Sequence, residues 1–239
     1  MTSNLTGKNV VVIGGSSGIG KEVARLAREL GASVVIGSRS PEKLAAARGE
    51  LGDDVRTGVV DILDEESMRS FFGAIGALDH LVVSVGDMAN GAIADLSLDA
   101  IHQCLNTKIV GPFLAVRHAV ATLAPSGSIV LFSGGGGFKP APGLTMTAAG
   151  NGAVPAMARA MALELAPIRV NTIVPGLIDT PLWSDLPDEF REQLFADTGK
   201  SLPSGRVGKA EDVAEMVVQM LVNTYVTGSV MHVDGGFLL

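Results

Sequence analysis

The chain of 239 residues is short of several residue types, and each shortage removes a class of function. It has a single cysteine, Cys104, so no internal disulfide can form and nothing calls for an oxidising compartment. Lys and Arg number 18 against 25 Asp and Glu, a formal net charge of −7. With no Lys/Arg cluster, such a chain lacks an electrostatic footprint for nucleic acid or an anionic membrane surface. No apolar run approaches transmembrane length. The first apolar run is brief and merges into a glycine motif, so no secretory leader is expected, and a cytoplasmic location is. His80, His102, His118 and His232 share no metal-ligand spacing, and no metal is expected. Neither Ser84 nor Ser133 has a histidine close by in sequence, which argues against a hydrolase. Aromatic residues make up 4%, with one Trp and one Tyr.

What is present is apolar and patterned. Apolar residues reach 47% and the mean hydropathy is +0.37, which suits a sheet covered on both faces. Val10–Ile13 reads as a strand buried on both sides. Gly14, Ser16, Ser17, Gly18, Ile19 and Gly20 follow, and Ile19, Val23, Leu26, Ala27 and Leu30 then recur at one-face helical spacing. Strand, glycine turn and helix together point to dinucleotide binding. The glycines allow close backbone approach, and the helix N-terminus offers free N–H groups and partial positive charge to a pyrophosphate.

Further strand-like runs lie at 33–37, 55–60, 79–85, 128–133, 169–174 and 228–233, with helical patterns between most of them. Met68, Phe71, Phe72 and Ile75 share one such face; Val213, Met216, Val217, Met220 and Leu221 share another. Alternation of this kind implies right-handed crossovers and a parallel sheet. The expectation is a single α/β domain over residues 1–239: a Rossmann-like, doubly wound sheet of about seven parallel strands with helices on both faces. Ser38 and Arg39 end the second strand, where a site preferring NAD would carry a carboxylate for the ribose 2′-hydroxyl. Arg39 instead offers a planar fork for the 2′-phosphate of NADP(H); the alternative is a solvated arginine opening the next helix.

The Gly-x-x-x-Gly-x-Gly spacing resembles the short-chain dehydrogenase/reductase family, and the resemblance extends over essentially the whole chain. Leu163-Glu164-Leu165-Ala166-Pro167-Ile168-Arg169-Val170-Asn171, then Pro175-Gly176-Leu177-Ile178-Asp179-Thr180-Pro181, are similar to the family's sixth strand and nicotinamide loop. Tyr225-Val226-Thr227-Gly228 and Val233-Asp234-Gly235-Gly236 are family-like too. The resemblance implies cofactor contacts from Asp61 and Ile62 at the adenine and from Ser84 and Gly86 at the end of the fourth strand. Pro175, Gly176, Ile178 and Thr180 would serve the nicotinamide and pyrophosphate side, and Asn106 a water of the proton relay. Asp61 also reads as a helix N-cap, a task open to Asp64, and Asn106 as a satisfied core group. The resemblance further implies a homotetramer or homodimer through the helices around 111–124 and 154–166.

The family's catalytic trio is a Tyr-x-x-x-Lys pair and a serine thirteen residues before the tyrosine. Flanked by Pro142-Gly143 and Ala153-Val154, those positions here are Thr147, Asn151 and Gly134. Ser133 is off register by one, which in a strand turns a side chain to the other face. A threonine hydroxyl is a far weaker acid than a phenol, whose pKa near 10 a cation can pull down. The candidate catalytic residues are therefore Asn106, Thr147 and Asn151, with Asn151 also a candidate for the ribose. Asp87, Lys108 and Lys139 are alternative proton sources, each also readable as surface charge. Gly150, Gly152 and Pro155 predict a helix that starts late or kinks near Asn151. Small residues at 134–137 predict a widened cleft lined by Phe138, Met146, Leu177, Leu182 and Trp183, with 182–205 as a mobile lid. The expected activity is hydride transfer with NADP(H) to or from a small-molecule carbonyl or enone, bulky and apolar. The rivals are an NADP(H)-binding sensor or accessory protein without turnover, and a non-redox lyase or isomerase.

Overall fold

A computed structural model of the protein describes residues 4–239. Among the described residues nine strands form in chain order: β1 (Asn9–Ile13), β2 (Ser33–Ser38), β3 (Arg56–Val59), β4 (Leu78–Val83), β5 (Leu123–Phe132), β6 (Arg169–Pro175), β7 (Ile178–Asp179), β8 (Gly208–Lys209) and β9 (Val230–Val233). Eight α-helices accompany them: α1 (Gly18–Glu29), α2 (Pro41–Leu51), α3 (Glu65–Ile75), α4 (Leu98–Leu105), α5 (Gly111–Ala119), α6 (Thr145–Glu164), α7 (Asp188–Ser201) and α8 (Ala210–Val222). Seven strands make one parallel sheet in the order β3-β2-β1-β4-β5-β6-β9, while β7 and β8 pair separately.

Alternation along each strand divides the core in two. Val10 and Val12 of β1 and Val130 of β5 join Val23 and Ala27 of α1 and Val213 and Val217 of α8 on one face. Val11, Ile13, Ile129 and Leu131 meet Phe71 and Phe72 of α3, Val116 of α5 and Val154 and Ala158 of α6 on the other. Near-continuous Val/Ile/Leu runs are what a sheet covered on both sides requires, and the strands expected from the sequence appear within a few residues of their predicted ends.

Two local expectations are corrected. Helix α6 begins at Thr145, before Asn151, and continues unbroken through Pro155. Proline lacks the N–H that would bond the carbonyl four residues back, so the Asn151 carbonyl loses its helical donor. The Ser133 hydroxyl donates to that carbonyl at 2.7 Å and fills the gap. Gly137 serves packing: a Cβ on it would lie 2.8 Å from the Gly152 nitrogen, so backbone rests on backbone at this position. The segment expected as a lid loop instead holds a 3-10 turn at Pro181–Trp183 and the fourteen-residue α7. Asp188 and Glu189 sit in the first turn of α7, where negative charge suits the helix N-terminus. Trp183 and Phe195 pack edge to face at 6.5 Å.

Candidate active site

β1 and β4 are neighbours in the sheet although far apart in sequence, so the strand order reverses between them. Ligands of open α/β sheets bind outside the strand carboxyl ends at such a point. Gly14, with φ +84°, leaves β1 there, and a Cβ on it would stand 2.8 Å from the Ser84 carbonyl carbon. A Cβ on Gly20 would run into the Gly14 carbonyl and reach 3.3 Å from Ser84 Cβ. Only glycine allows strand, turn and helix to close this tightly. Ser17 is the N-cap of α1, yet its side chain makes no capping bond. The first-turn N–H groups at Gly18, Ile19 and Gly20, beside Ser16, thus have no helical acceptor. A Cβ on Gly18 would lie 3.5 Å from Thr180 Cβ, so Thr180 closes over the turn from the opposite side. An uncapped helix start under a glycine cradle fits a pyrophosphate.

Further along the same edge, Arg39 is exposed and makes no hydrogen bond or ion pair with another described residue. It does not open the next helix: Ser40 caps α2, accepting from the Lys43 N–H at 3.1 Å, with Pro41 at the first position. The Ser38 hydroxyl points to the Ser40 carbonyl, 3.4 Å away. Asp64 takes the N-cap of α3, accepting from the Glu66 and Ser67 N–H groups. Asp61 is left to a local turn, with Oδ1 accepting from the Leu63 N–H at 2.9 Å. Ile62 is buried in the core, where a Cβ on Gly111 would touch it at 2.7 Å, so only its main chain can face the edge.

Thr147 and Asn151 come together with Gly134 at the junction of β5 and α6. A Cβ on Gly134 would stand 3.1 Å from Asn151 Nδ2, and one on Gly136 would stand 3.7 Å from Thr147 Cγ2. The Thr147 hydroxyl is already engaged: it accepts from the Ala89 N–H at 3.0 Å and lies 2.7 Å from Asn90 Oδ1. Asn151 is 5% exposed, and its buried Oδ1 has no hydrogen-bond partner. A buried acceptor without a donor costs about 1–3 kcal/mol, which a donor such as a ribose hydroxyl would relieve. Across the sheet edge, Pro175 ends β6, and a Cβ on Gly176 would meet Asp234 Cα at 2.7 Å. Ile178 is buried, and its carbonyl accepts from Trp183 Nε1 at 3.0 Å. Between Thr180 and α7 lies a hollow of about 510 Å³ lined by Asp179, Pro181, Ser184, Arg191, Glu192 and Phe195.

Asn106 is not among the residues gathered here. It opens a π-helical turn, Asn106–Val110, in which the Gly111 N–H bonds the Asn106 carbonyl five residues back. Pro112, lacking an N–H, cannot close the ordinary bond to Lys108. Cys104 and Lys108, four apart, share the face toward α6, where a Cβ on Gly150 would stand 3.6 Å from Cys104 Sγ and 3.3 Å from Lys108 Cβ. Asn106 lies two positions from each, around the far side of the helix.

The other proton sources separate cleanly. Asp87 accepts from Gln103 Nε2 at 2.7 Å, and its N–H donates to the Thr107 hydroxyl at 2.9 Å. Lys139 donates to the Phe237 carbonyl at 2.6 Å and lies over that ring. Lys108 folds inward instead. A Cβ on Gly86, at φ +154°, would lie 2.6 Å from Lys108 Nζ, so the side chain rests on the bare Cα at the end of β4. Burial pushes its pKa down to about 8, against the opposing pull of Cys104 and Asp87. The sequence signal for this placement is the Cys104–Lys108 spacing on the inner helix face. Tyr225 is 98% exposed, beside the Val226 carbonyl that Arg169 at the start of β6 binds. That is the amino end of the strand, opposite the glycine cradle.

A family model described as Enoyl-(Acyl carrier protein) reductase matches residues 13–238. A 3-oxoacyl-[acyl-carrier-protein] reductase of Bos taurus is 35% identical over 240 residues, covering 97% of this chain and 98% of the relative. A solved small-chain dehydrogenase in complex with NADPH superposes with a TM-score of 0.85 at 34% identity, covering 97% of this chain and 98% of that one. The MalC Reductase/Diels-Alderase from Malbranchea aurantiaca superposes with a TM-score of 0.91 at 28% identity, covering 98% and 97%. The chain belongs to the short-chain dehydrogenase/reductase family.

Proposed function

We propose that this protein is an NADPH-dependent oxidoreductase whose proton-transfer site departs from the family's usual trio. The observation that carries the reading is the uncapped start of α1 beneath Gly14 and Gly20, with an unpaired Arg39 at the end of β2. Gly14, Ser16, Ser17, Gly18, Ile19, Gly20 and Thr180 would hold the pyrophosphate, and Ser38 with Arg39 the 2′-phosphate. Asp61 and the main chain of Ile62 would serve the adenine. Ser84, Gly86, Pro175, Gly176 and Ile178 would flank the nicotinamide, and Asn151 would accept from a ribose hydroxyl. When bound, the reduced nicotinamide supplies a hydride equivalent to a carbonyl or enone carbon. The bovine relative's name makes 3-oxoacyl thioesters the first acceptors to try, and the hollow beside Phe195 and Pro181 suits a larger, partly apolar group. Exposed Phe113 and Leu163 lie on the segments assigned to a homodimer or homotetramer interface.

A rival reading, dinucleotide binding without turnover, is favoured by the Thr147 hydroxyl being committed to Ala89 and Asn90. One experiment separates the two. NADPH binding is measured by nicotinamide fluorescence, then absorbance at the nicotinamide band is followed with 3-oxoacyl thioesters, cyclic ketones and enones. Consumption with any acceptor supports the oxidoreductase; binding without consumption supports the rival. Arg39→Ala should weaken NADPH at least tenfold more than NADH, and equal losses would refute the phosphate role.

A further inference from the structure

We propose that Lys108 is the proton donor of this site: its ammonium faces the acceptor oxygen from the end of β4 and replaces the phenol that the chain does not place there. The proposal rests on the oxidoreductase reading above and adds the acid to it. Three observations carry it. Lys108 lies against two glycines: a Cβ on Gly86 would run into its side-chain end, 2.6 Å from Nζ, and one on Gly150 would press on its Cβ at 3.3 Å. Its ammonium makes no hydrogen bond or ion pair with another described residue, whereas Asp87, Lys139 and Thr147 are all committed elsewhere. Finally, it stands at the carboxyl end of β4, next to the strand-order reversal where the cofactor cradle lies.

The chemistry balances. As the acceptor carbon gains hydrogen with its electron pair, the carbonyl π pair moves onto oxygen. That oxygen takes a proton from Nζ, and the neutral amine left behind regains a proton from solvent. Oxidised nicotinamide and alcohol are the products. Desolvation of the half-buried Lys108 pushes its pKa down to about 8, close to working pH, where a general acid is most effective. The charged or titratable groups acting on it are Cys104 from α4 and Asp87 after β4, while Gly150 of α6 packs on its Cβ. Cys104 is itself pushed up by burial, which keeps it a neutral thiol.

The test combines titration with kinetics. Protein labelled with ¹³C at the lysine ε-carbons is titrated by NMR, with and without saturating NADP⁺, and the Lys108 signal is assigned by its loss in Lys108→Arg. Lys108 should titrate near 8, and its midpoint should move by at least half a pH unit on cofactor binding. A midpoint of about 10.4, the ordinary lysine value, or no response to cofactor, overturns the proposal. Lys108→Met should lower kcat about 10²–10⁴-fold on an acceptor the wild type reduces, with NADPH affinity kept within threefold. In the wild type kcat/KM should fall as pH rises through 8, and in Lys108→Arg that limb should move to higher pH. Unchanged kcat in Lys108→Met refutes the role, as does a loss confined to NADPH affinity, which would make Lys108 a ribose holder. If the wild type binds NADPH but reduces no acceptor, the oxidoreductase reading itself fails, and the proton-donor role with it.

Discussion

The bond from Ser133 to the Asn151 carbonyl yields a quantitative prediction. Pro155 removes one helical donor, and the Ser133 hydroxyl supplies a replacement at 2.7 Å in a buried position. Ser133→Ala leaves that carbonyl without a donor, and should destabilise the fold by about 1–3 kcal/mol. For a chain of this size that corresponds to a fall in Tm of about 2–4 °C per kcal/mol. Pro155→Ala restores a main-chain N–H to the same carbonyl. In that background, Ser133→Ala should cost no more than about 1 kcal/mol, because the carbonyl keeps a partner. Urea unfolding of the four proteins of this double-mutant cycle gives the coupling directly, and it should exceed about 0.5 kcal/mol. Strict additivity, with both backgrounds agreeing within about 0.5 kcal/mol, would show that the serine does not stand in for the missing helical bond.

Three further outcomes are expected. Gly20→Ala drives a Cβ into the Gly14 carbonyl and should abolish measurable NADPH binding in calorimetry, and near-normal affinity would refute the cradle. His80 is buried, with Nδ1 2.8 Å from Ser128 Oγ, and desolvation lowers its pKa to about 4. The unfolded chain takes up that proton near pH 6.5, so stability should fall as pH drops from 6.5 toward 4, by up to about 3 kcal/mol. His80→Gln should flatten that part of the curve in denaturant unfolding. Arg169 donates to the Met220, Leu221 and Val226 carbonyls, two of them in the last turn of α8. Arg169→Met strands the Met220 and Leu221 carbonyls, whereas Val226 keeps its bond from Asn171 Nδ2 at 2.9 Å, and should cost at least about 2 kcal/mol in the same assay.

The parallel sheet was readable because its strands are buried on both faces and therefore spell continuous β-branched runs, as Val10–Ile13 does. The glycine cradle was readable because close main-chain contact admits no side chain at 14 and 20. What escaped depends on long-range partners. Gly150, Gly152 and Pro155 carry a breaker's propensity, and only Ser133 and Gly137, from another element, make them compatible with a helix. The lid segment looked irregular because α7 has little buried surface to impose a clear period, with Gly199 its sole buried residue. Lys108 read as surface charge because depth follows from which residues lie opposite, and Gly86 is 22 positions away in the chain. Asn106 stood out through its likeness to the family's helix asparagine, but the π turn and Pro112 decide which residues of that helix look toward α6.

Main chain pressed on main chain at Gly137 and Gly152 has an evolutionary corollary. Most sites in a protein can drift one substitution at a time, but a larger residue at Gly137 would meet peptide atoms of α6 at 2.8–2.9 Å, which no rotamer change can move aside. Lineages carrying this arrangement are thus held in it: new side chains at the strand exit become accessible only after the helix has shifted. Side-chain change is freer on the α7 side, where Arg191, Glu192 and Phe195 border open space.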